Sequence, residues 1–490
     1  MNQLHETLIA VLDIGTSNIR ASAVSLSGTV TAEFRSTFTK LSPTRGFVEF
    51  DAEELFQTCL RLMKSLLSET PCSAIALTNQ RASAVVFDPV SKIPVCMGQS
   101  WQDLRTAPMC LALKASGISL SPNQSATKIS LMMDLFDKDR SRGLLGGTID
   151  AWICFRLTGE FKTDHTNAAM TGLVEPTVSR YDPTILSKLK IPIKALPEIV
   201  PSIGYLGEAE IDGLFLPLVA ILGDQQASML GQAITVPKRA KATFGTGAMV
   251  DILTGEQGPT TTARLSHGTF PIVARSKGDQ ILFGLEAIGL HAGSAVDFVC
   301  ANLGIADSPA SIEALARETH SRSNEVFVPA LTGLATPYWD FGALACFANI
   351  THATTKSDLA NATLAGVAHL GADLIEAIEA DSQVALESLS VDGGMTQNQL
   401  FLQHLANFSQ KRLRISSAKE ATTVGAGLAG HLAMGTLPHI SYIDEIISPI
   451  QIVDPERAFD MHQAEMSKDS WLKAVEISRN SVPELSTVTF

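Results

Sequence analysis

The chain has 490 residues, 45% of them apolar and 18% charged, and carries a formal net charge of −13. That length exceeds one ordinary core and fits two domains of roughly 200–250 residues, while the acidic balance argues against a protein that grips a nucleic-acid backbone. The seven scattered cysteines form no CxxC pair and no zinc spacing, which excludes a disulfide framework or zinc module and fits a reducing compartment.

The start, "MNQLHETLIAV", has no basic region ahead of a long apolar stretch, and no apolar run is long enough to span a bilayer, so a cytoplasmic protein is expected. "TLIAVLDIGTSN", "IRASAVSLSG" and "TVTAEFRSTF" predict three successive strands with tight turns. "DAEELFQTCLRLMKSLLSE" predicts a helix with Asp51 as N-cap, Glu54 three residues on, and Leu55, Cys59, Leu62, Met63, Leu66 and Leu67 on one face. "SAIALTNQR" is an apolar strand with a polar end, and "LVAILGDQQASMLGQAI" a strand running into a helix. Pro237 interrupts next, so a domain boundary is placed there, between halves 1–236 and 237–490 that pack closely and can hinge. Beyond it, "RAKATFGTGAMVDILTG" predicts a second hairpin, "KSDLANATLAGVAHLGADLIEAIEAD" a long amphipathic helix, and "LESLSVDGGMTQNQLFLQHLANFSQ" strand, glycine turn and helix. A Gly/Thr hairpin turn followed by sheet and helix thus occurs twice, and a duplicated α/β architecture is expected.

The two turns carry the first chemical signal. Gly15, Thr16, Ser17 and Asn18 can aim backbone N–H groups and hydroxyls at one point, an anion cradle made without a helix. Arg20 adds positive charge toward a polyphosphate, and Asp13 can hold a hydrated Mg²⁺ ion, which takes one or two carboxylates. Gly245, Thr246 and Gly247 offer a second grip; a plain hairpin connection is the competing reading of either turn alone. Asp224 reads either as a helix N-cap or as the base that accepts a proton from an acceptor hydroxyl during phosphoryl transfer. The paired glycines of "SVDGGMTQN" either make a tight connection or let an adenosine lie close to the backbone. "GAGLAG" (425–430), with Asp444 beyond it, satisfies a dinucleotide fingerprint and suggests an oxidoreductase. However, "SAKEATT" separates it from the preceding strand, and Ala421, Gly425, Leu428, Ala429 and Leu432 read better as a small-residue helix face. No P-loop motif occurs.

"LDIGTSNIR", "LTNQR", "SWQDLRT", "GTIDAWICFRLTG", "GDQQASMLGQ", "TFGTGAMV", "VPALTGLATPYWD", "VDGGMTQNQLFLQ" and "EATTVGAGLAGHLAMG" appear in the order found in the FGGY carbohydrate kinases, and the sequence most resembles the glycerol kinase branch. The resemblance covers residues 8 to about 460. It implies two actin-like, ribonuclease H-like ATPase domains with ATP and sugar in the cleft between them. It implies that Asp13, Gly15, Thr16, Ser17, Asn18 and Arg20 form the phosphate and magnesium site, with Asp224 sharing the metal. Gly245 and Thr246 then form the second phosphate turn, and Gly293, Asp297, Gly394, Met395 and Asn398 the nucleotide side. Asp224 is implied as catalytic base, and Arg81, Trp101 and Gln225 as polyol contacts.

Departures from the family pattern fall in the acceptor pocket. Ala82 stands where glycerol kinases have a glutamate, Asn123 where they have a tyrosine, and Met249 where they have an aromatic residue. Asp297 replaces a glutamine, and "FGALACF" lacks the usual Arg-Gly after "PYWD". A polar group left unpaired in a closed site costs about 1–3 kcal/mol, so glycerol is expected to bind poorly and a larger polyol or sugar is the expected acceptor. A homodimer or higher homo-oligomer is also expected. An actin-like ATP-binding switch protein is the alternative of another class, and "SWQDLRT" and "GDQQ" argue against it because they belong to the sugar side of the cleft.

Overall fold

The computed structural model describes residues 7–319, 324–418, 420–459 and 461–488. The opening apolar stretch forms β1 (Leu8–Ile14), which turns into antiparallel β2 (Asn18–Ser25), itself paired with β3 (Val30–Thr37). Ile9 to Leu12 are wholly buried, as expected of a strand covered on both faces. β1 also pairs in parallel with β4 (Ala74–Asn79), and β4 with β6 (Leu214–Gly223), while β5 (Ile203–Ile211) runs antiparallel to β6. Helix α1 (Ala52–Glu69) starts where expected: the Asp51 carboxylate accepts the backbone N–H groups of Glu53 and Glu54. The six apolar residues of its predicted face are all buried in the core beside the sheet.

The same path is traced a second time. β7 (Ala240–Phe244) turns into β8 (Ala248–Gly255), and β8 pairs antiparallel with β10 (Gln280–Gly289). On its other side β7 is parallel to β11 (Ser388–Asp392), β11 is parallel to β12 (Arg412–Ser416), and β13 (Pro449–Val453) closes the edge antiparallel. Each half therefore has three mutually antiparallel neighbours, two parallel strands and an antiparallel sixth, and the second half adds a further strand. The register records the duplication that no residue-by-residue repeat displays. β9 (Phe270–Lys277) pairs with β10 and meets β5 at Ile203 and Lys277, joining everything into one 13-stranded sheet.

Helices cover these strands. α2 (Asp224–Gly231) follows β6, α3 (Gly293–Ala301) follows β10, and the 27-residue α4 (Lys356–Ser382) is held at its start by a reciprocal Thr355–Asp358 capping box. α5 (Gln399–Ser409) and α6 (Ala421–Met434) follow β11 and β12. α6 contains the "GAGLAG" stretch, and its small residues are a packing seam. A Cβ on Gly425 would lie 1.8 Å from the Ala227 carbonyl oxygen, one on Gly427 2.5 Å from Val24, and one on Gly430 2.7 Å from Ile9. A helix of the second half thus seats on the first half's sheet and on α2. Asp444, the supposed ribose contact, instead accepts from Arg239 at 2.6 Å and Thr235 at 2.8 Å. Among the described residues no helix is long and apolar enough to cross a membrane.

Candidate active site

β1 ends in Asp13 and Ile14, and the turn to β2 is closed by the Gly15 N–H donating to the Asn18 carbonyl at 2.9 Å. Ser17 and Asn18 are exposed at its tip, while Trp101 Nε1 donates to Thr16 Oγ1 at 3.4 Å. Asp13 lies opposite Arg20 across the hairpin. Its carboxylate accepts from Thr423 Oγ1 at 2.8 Å and lies 3.5 Å from the Arg20 guanidinium. Burial pushes this carboxyl up to about 6, against the stabilising Thr423 bond and Arg20 charge; repulsion from Asp224 adds to the rise. Arg20 also donates to Glu420 at 2.5 Å, so its charge is shared between Asp13 and a carboxylate of the second half.

The second turn is built from backbone. Gly245 N–H donates to the Gly247 carbonyl at 3.0 Å, and the start of α3 closes over it. Gly293 N–H donates to the Gly245 carbonyl at 2.8 Å, and the Ala292 and Ser294 N–H groups both reach the Thr246 carbonyl. The contact is too close for side chains: a Cβ on Gly293 would sit 2.7 Å from Gly245 O, and one on Gly247 2.7 Å from Gly289 O. Thr246 stays exposed. Met395 packs near Gly293, and around the exposed Gly394 a Cβ would meet nothing within 4 Å. Asn398 accepts from Phe401 N–H at 2.9 Å, which commits its carbonyl end to capping α5. Asp297 is exposed on α3, one turn beyond Gly293.

Asp224 lies within electrostatic reach of Asp13, and its neighbour Gln225 meets Lys241 of the strand that runs into the second turn. Of the two sequence readings of Asp224, the capping one fails: Gly223 holds that position, Asp224 is the first helical residue, and its Oδ1 accepts the Gln225 N–H at 2.8 Å. Arg81 Nε lies 3.4 Å from the same oxygen. Burial raises the Asp224 carboxyl above its usual range, with Arg81 the main opposing influence. Thr422 Oγ1 touches the Asp224 carbonyl at 3.5 Å while its neighbour Thr423 holds Asp13, so the first turn of α6 ties the two carboxylate-bearing segments together. On the acceptor side, Ala82 takes a left-handed φ of 62°, and its carbonyl accepts from Ser125. Asn123 is exposed and donates to the Trp101 carbonyl at 3.0 Å, and Met249 is half-buried beside the second turn. The buried Lys128 ammonium donates to the Pro122 and Gln124 carbonyls, which flank Asn123 and fix its loop.

Behind this floor are charges that motif reasoning missed. Lys241 donates to Gln225 Oε1 at 2.5 Å and pairs with Asp251 at 2.8 Å, and Glu286 accepts from Arg81 Nη2 at 2.8 Å. Lys241, Asp251 and Glu286 are all wholly buried. Burial pushes Glu286 up to about 7 against the pull of Arg81. The available signal was a charge inside each of three apolar strands, "RAKATF", "GAMVDIL" and "FGLEAIG".

The sequence model of the FGGY family of carbohydrate kinases, N-terminal domain, matches residues 8–231, and that of the family's C-terminal domain matches residues 240–434. The chain belongs to the FGGY family of carbohydrate kinases. Within that family it is glycerol kinase-like. It is 32% identical over 495 residues to a glycerol kinase of Desulfitobacterium hafniense, covering 95% of this chain and 98% of that one. The structure superposes on Plasmodium falciparum glycerol kinase with ADP at a TM-score of 0.89 and 24% identity, covering 96% of this chain and 98% of that one. It matches a ligand-bound xylulose kinase from Lactobacillus acidophilus at 0.85 and 19% identity, covering 98% and 99%. This FGGY kinase therefore shares one architecture with enzymes named for three-carbon and five-carbon acceptors, and the acceptor pocket must be read from its own residues.

Proposed function

We propose that this FGGY kinase transfers the terminal phosphoryl group of ATP to a hydroxyl of a polyol or sugar larger than glycerol. The observation that carries the reading is the position of Asp224: a partly exposed carboxylate, raised by burial and aligned by Arg81, tied through α6 to the Asp13 hairpin. A carboxylate held in this way can accept the acceptor's hydroxyl proton as the new P–O bond forms. Arg81, Trp101 and Gln225 hold the acceptor. The hairpin at Gly15–Asn18 and the turn at Gly245–Thr246 receive the phosphates, and the shelf at Gly293, Gly394 and Met395 receives the nucleoside.

The donor set fits magnesium: burial raises the Asp13 carboxyl, the charge of Asp224 adds to the rise, and a divalent cation favours both carboxylates in their charged form. Mg²⁺ held by these two carboxylates would neutralise phosphate charge. Closure of the halves excludes water from the transfer.

The acceptor class rests on three positions. Ala82, Asn123 and Met249 bring neither a carboxylate nor an aromatic ring at their three positions, and Asn123 can both donate and accept. A coupled ADP assay over glycerol, tetritols, pentitols, pentoses and their keto forms tests this. Turnover highest with four- or five-carbon acceptors is the expected result. A kcat/KM for glycerol far above all others would make the chain a genuine glycerol kinase, and nucleotide binding without any acceptor would favour an ATP-binding switch.

A further inference from the structure

The three buried charges behind the floor are not scattered. Lys241 on β7 is the register partner of Asp251 on β8, and Asp251 is the register partner of Glu286 on β10. They form one row across three neighbouring strands, pointing to one face of the second half's sheet. These strands also build the second phosphate turn: β7 runs into it, β8 leaves it, and β10 leads to the α3 start that closes it. Both ends of the row reach residues of the first half. Glu286 holds Arg81 and Lys241 holds Gln225, the residues on either side of Asp224 in the floor.

We propose that Glu286 and Lys241 are positioning residues, which orient Arg81 and Gln225 from behind and so couple the nucleotide turn to the acceptor side of the cleft. This rests on the kinase reading for the roles of Arg81 and Gln225. The coupling has a material basis. A three-strand row cannot shift at the turn without moving both contacts, because each is short and starts from a wholly buried side chain of the row. The hold on Arg81 is geometric as much as ionic: a Glu286 carboxyl at about 7 is partly neutral near neutral pH, and its oxygen still accepts from Arg81.

Two variants separate reach from charge. Glu286→Gln keeps the length and an acceptor oxygen, whereas Glu286→Asp keeps the charge but withdraws it by one methylene. Glu286→Asp is expected to raise the acceptor KM about tenfold with kcat changed less, and Glu286→Gln to stay within about threefold of wild type, the size of one charge-assisted bond lost or kept. ADP affinity should change little in either. Unchanged KM in folded Glu286→Asp, or equal losses in both variants tracking their melting temperatures, would overturn the proposal.

A second readout needs no turnover. In the wild type, ADP with Mg²⁺ should raise amide-exchange protection at 245–247 and also at 79–83 and 224–226; in Glu286→Asp only the first should remain. Equal transmission in both proteins overturns the coupling. If transmission behaves as expected while no acceptor is phosphorylated, the coupling stands and the kinase reading falls.

Discussion

The two Gly/Thr hairpin turns occupy equivalent places in the two halves of the fold yet are built on different electrostatic plans. The first carries its charge close behind the tip: Asp13 and Arg20 face each other one register pair below Ile14 and Ile19, and the second half supplies Glu420 and Thr423 as their partners. The second is uncharged at its tip, made of backbone donors and the Thr246 hydroxyl, and keeps its charges several residues back in the Lys241–Asp251–Glu286 row. Duplication thus preserved the turn and divided the labour. On the proposed reading, one copy takes a cation and the reacting phosphate, and the other supplies a shape grip backed by a charged support.

The comparison can be broken at several points. The largest effect is expected from Asp224→Asn, which removes the base while sparing both turns: kcat should fall by about 10²–10⁴, with ADP affinity by calorimetry unchanged within a few-fold. Substantial turnover in that variant would sink the assigned role. Next, Asp13→Asn should lower kcat about a hundredfold and raise the Mg²⁺ concentration needed for half-maximal rate, because it strips the charged turn of its metal carboxylate.

Gly293→Ala attacks the other turn. Its Cβ would start 2.7 Å from Gly245 O, and relieving such overpacking costs about 1–3 kcal/mol. ADP should bind roughly tenfold more weakly in consequence, with the Mg²⁺ requirement unaltered. If Gly293→Ala and Asp13→Asn shift the magnesium dependence alike, the two turns are not divided as described.

The smallest effect is one of pH. The Glu286 carboxyl is raised from 4.5 to about 7 by burial, so the folded protein binds its proton more tightly than the unfolded chain does. Its contribution to stability is complete below 4.5 and is lost as pH rises through about 7. Thermal melts should show Glu286→Gln gaining on the wild type between pH 5 and pH 8, and a constant difference would count against that protonation.

Much of this was legible in the sequence because the signals are local. The Asp13–Arg20 hairpin, the Gly245–Gly247 turn and the strand-to-helix step at Asp224 each declare themselves within a few residues, and Asp51 starts its helix where its side chain predicts. The "GAGLAG" stretch read correctly as a helix face from its spacing. Its seat on Ile9, Val24 and Ala227 did not, since nothing local says which half a helix will cover. Asp224 reads in sequence as a cap or a base; Gly223 takes the cap position, and Asp224 as first helical residue lies beside Arg81, a placement that depends on a residue far away in the chain. The supporting row was invisible because positions 241, 251 and 286 become neighbours only through strand register, and Glu420 meets Arg20 only when distant segments converge.

The seat of α6 has a consequence for how the polypeptide can be divided. Val424, Leu428 and Leu432 share one core cluster with Ile9, Val11, Val24 and Ala74. A fragment ending at residue 236 would present that floor bare to water and stick to its own kind, and the complementary fragment would carry an orphaned apolar helix. Produced together, the pieces should find each other through this seam. Cut or permuted forms of the enzyme are therefore best engineered elsewhere on the surface than by splitting the chain at its midpoint.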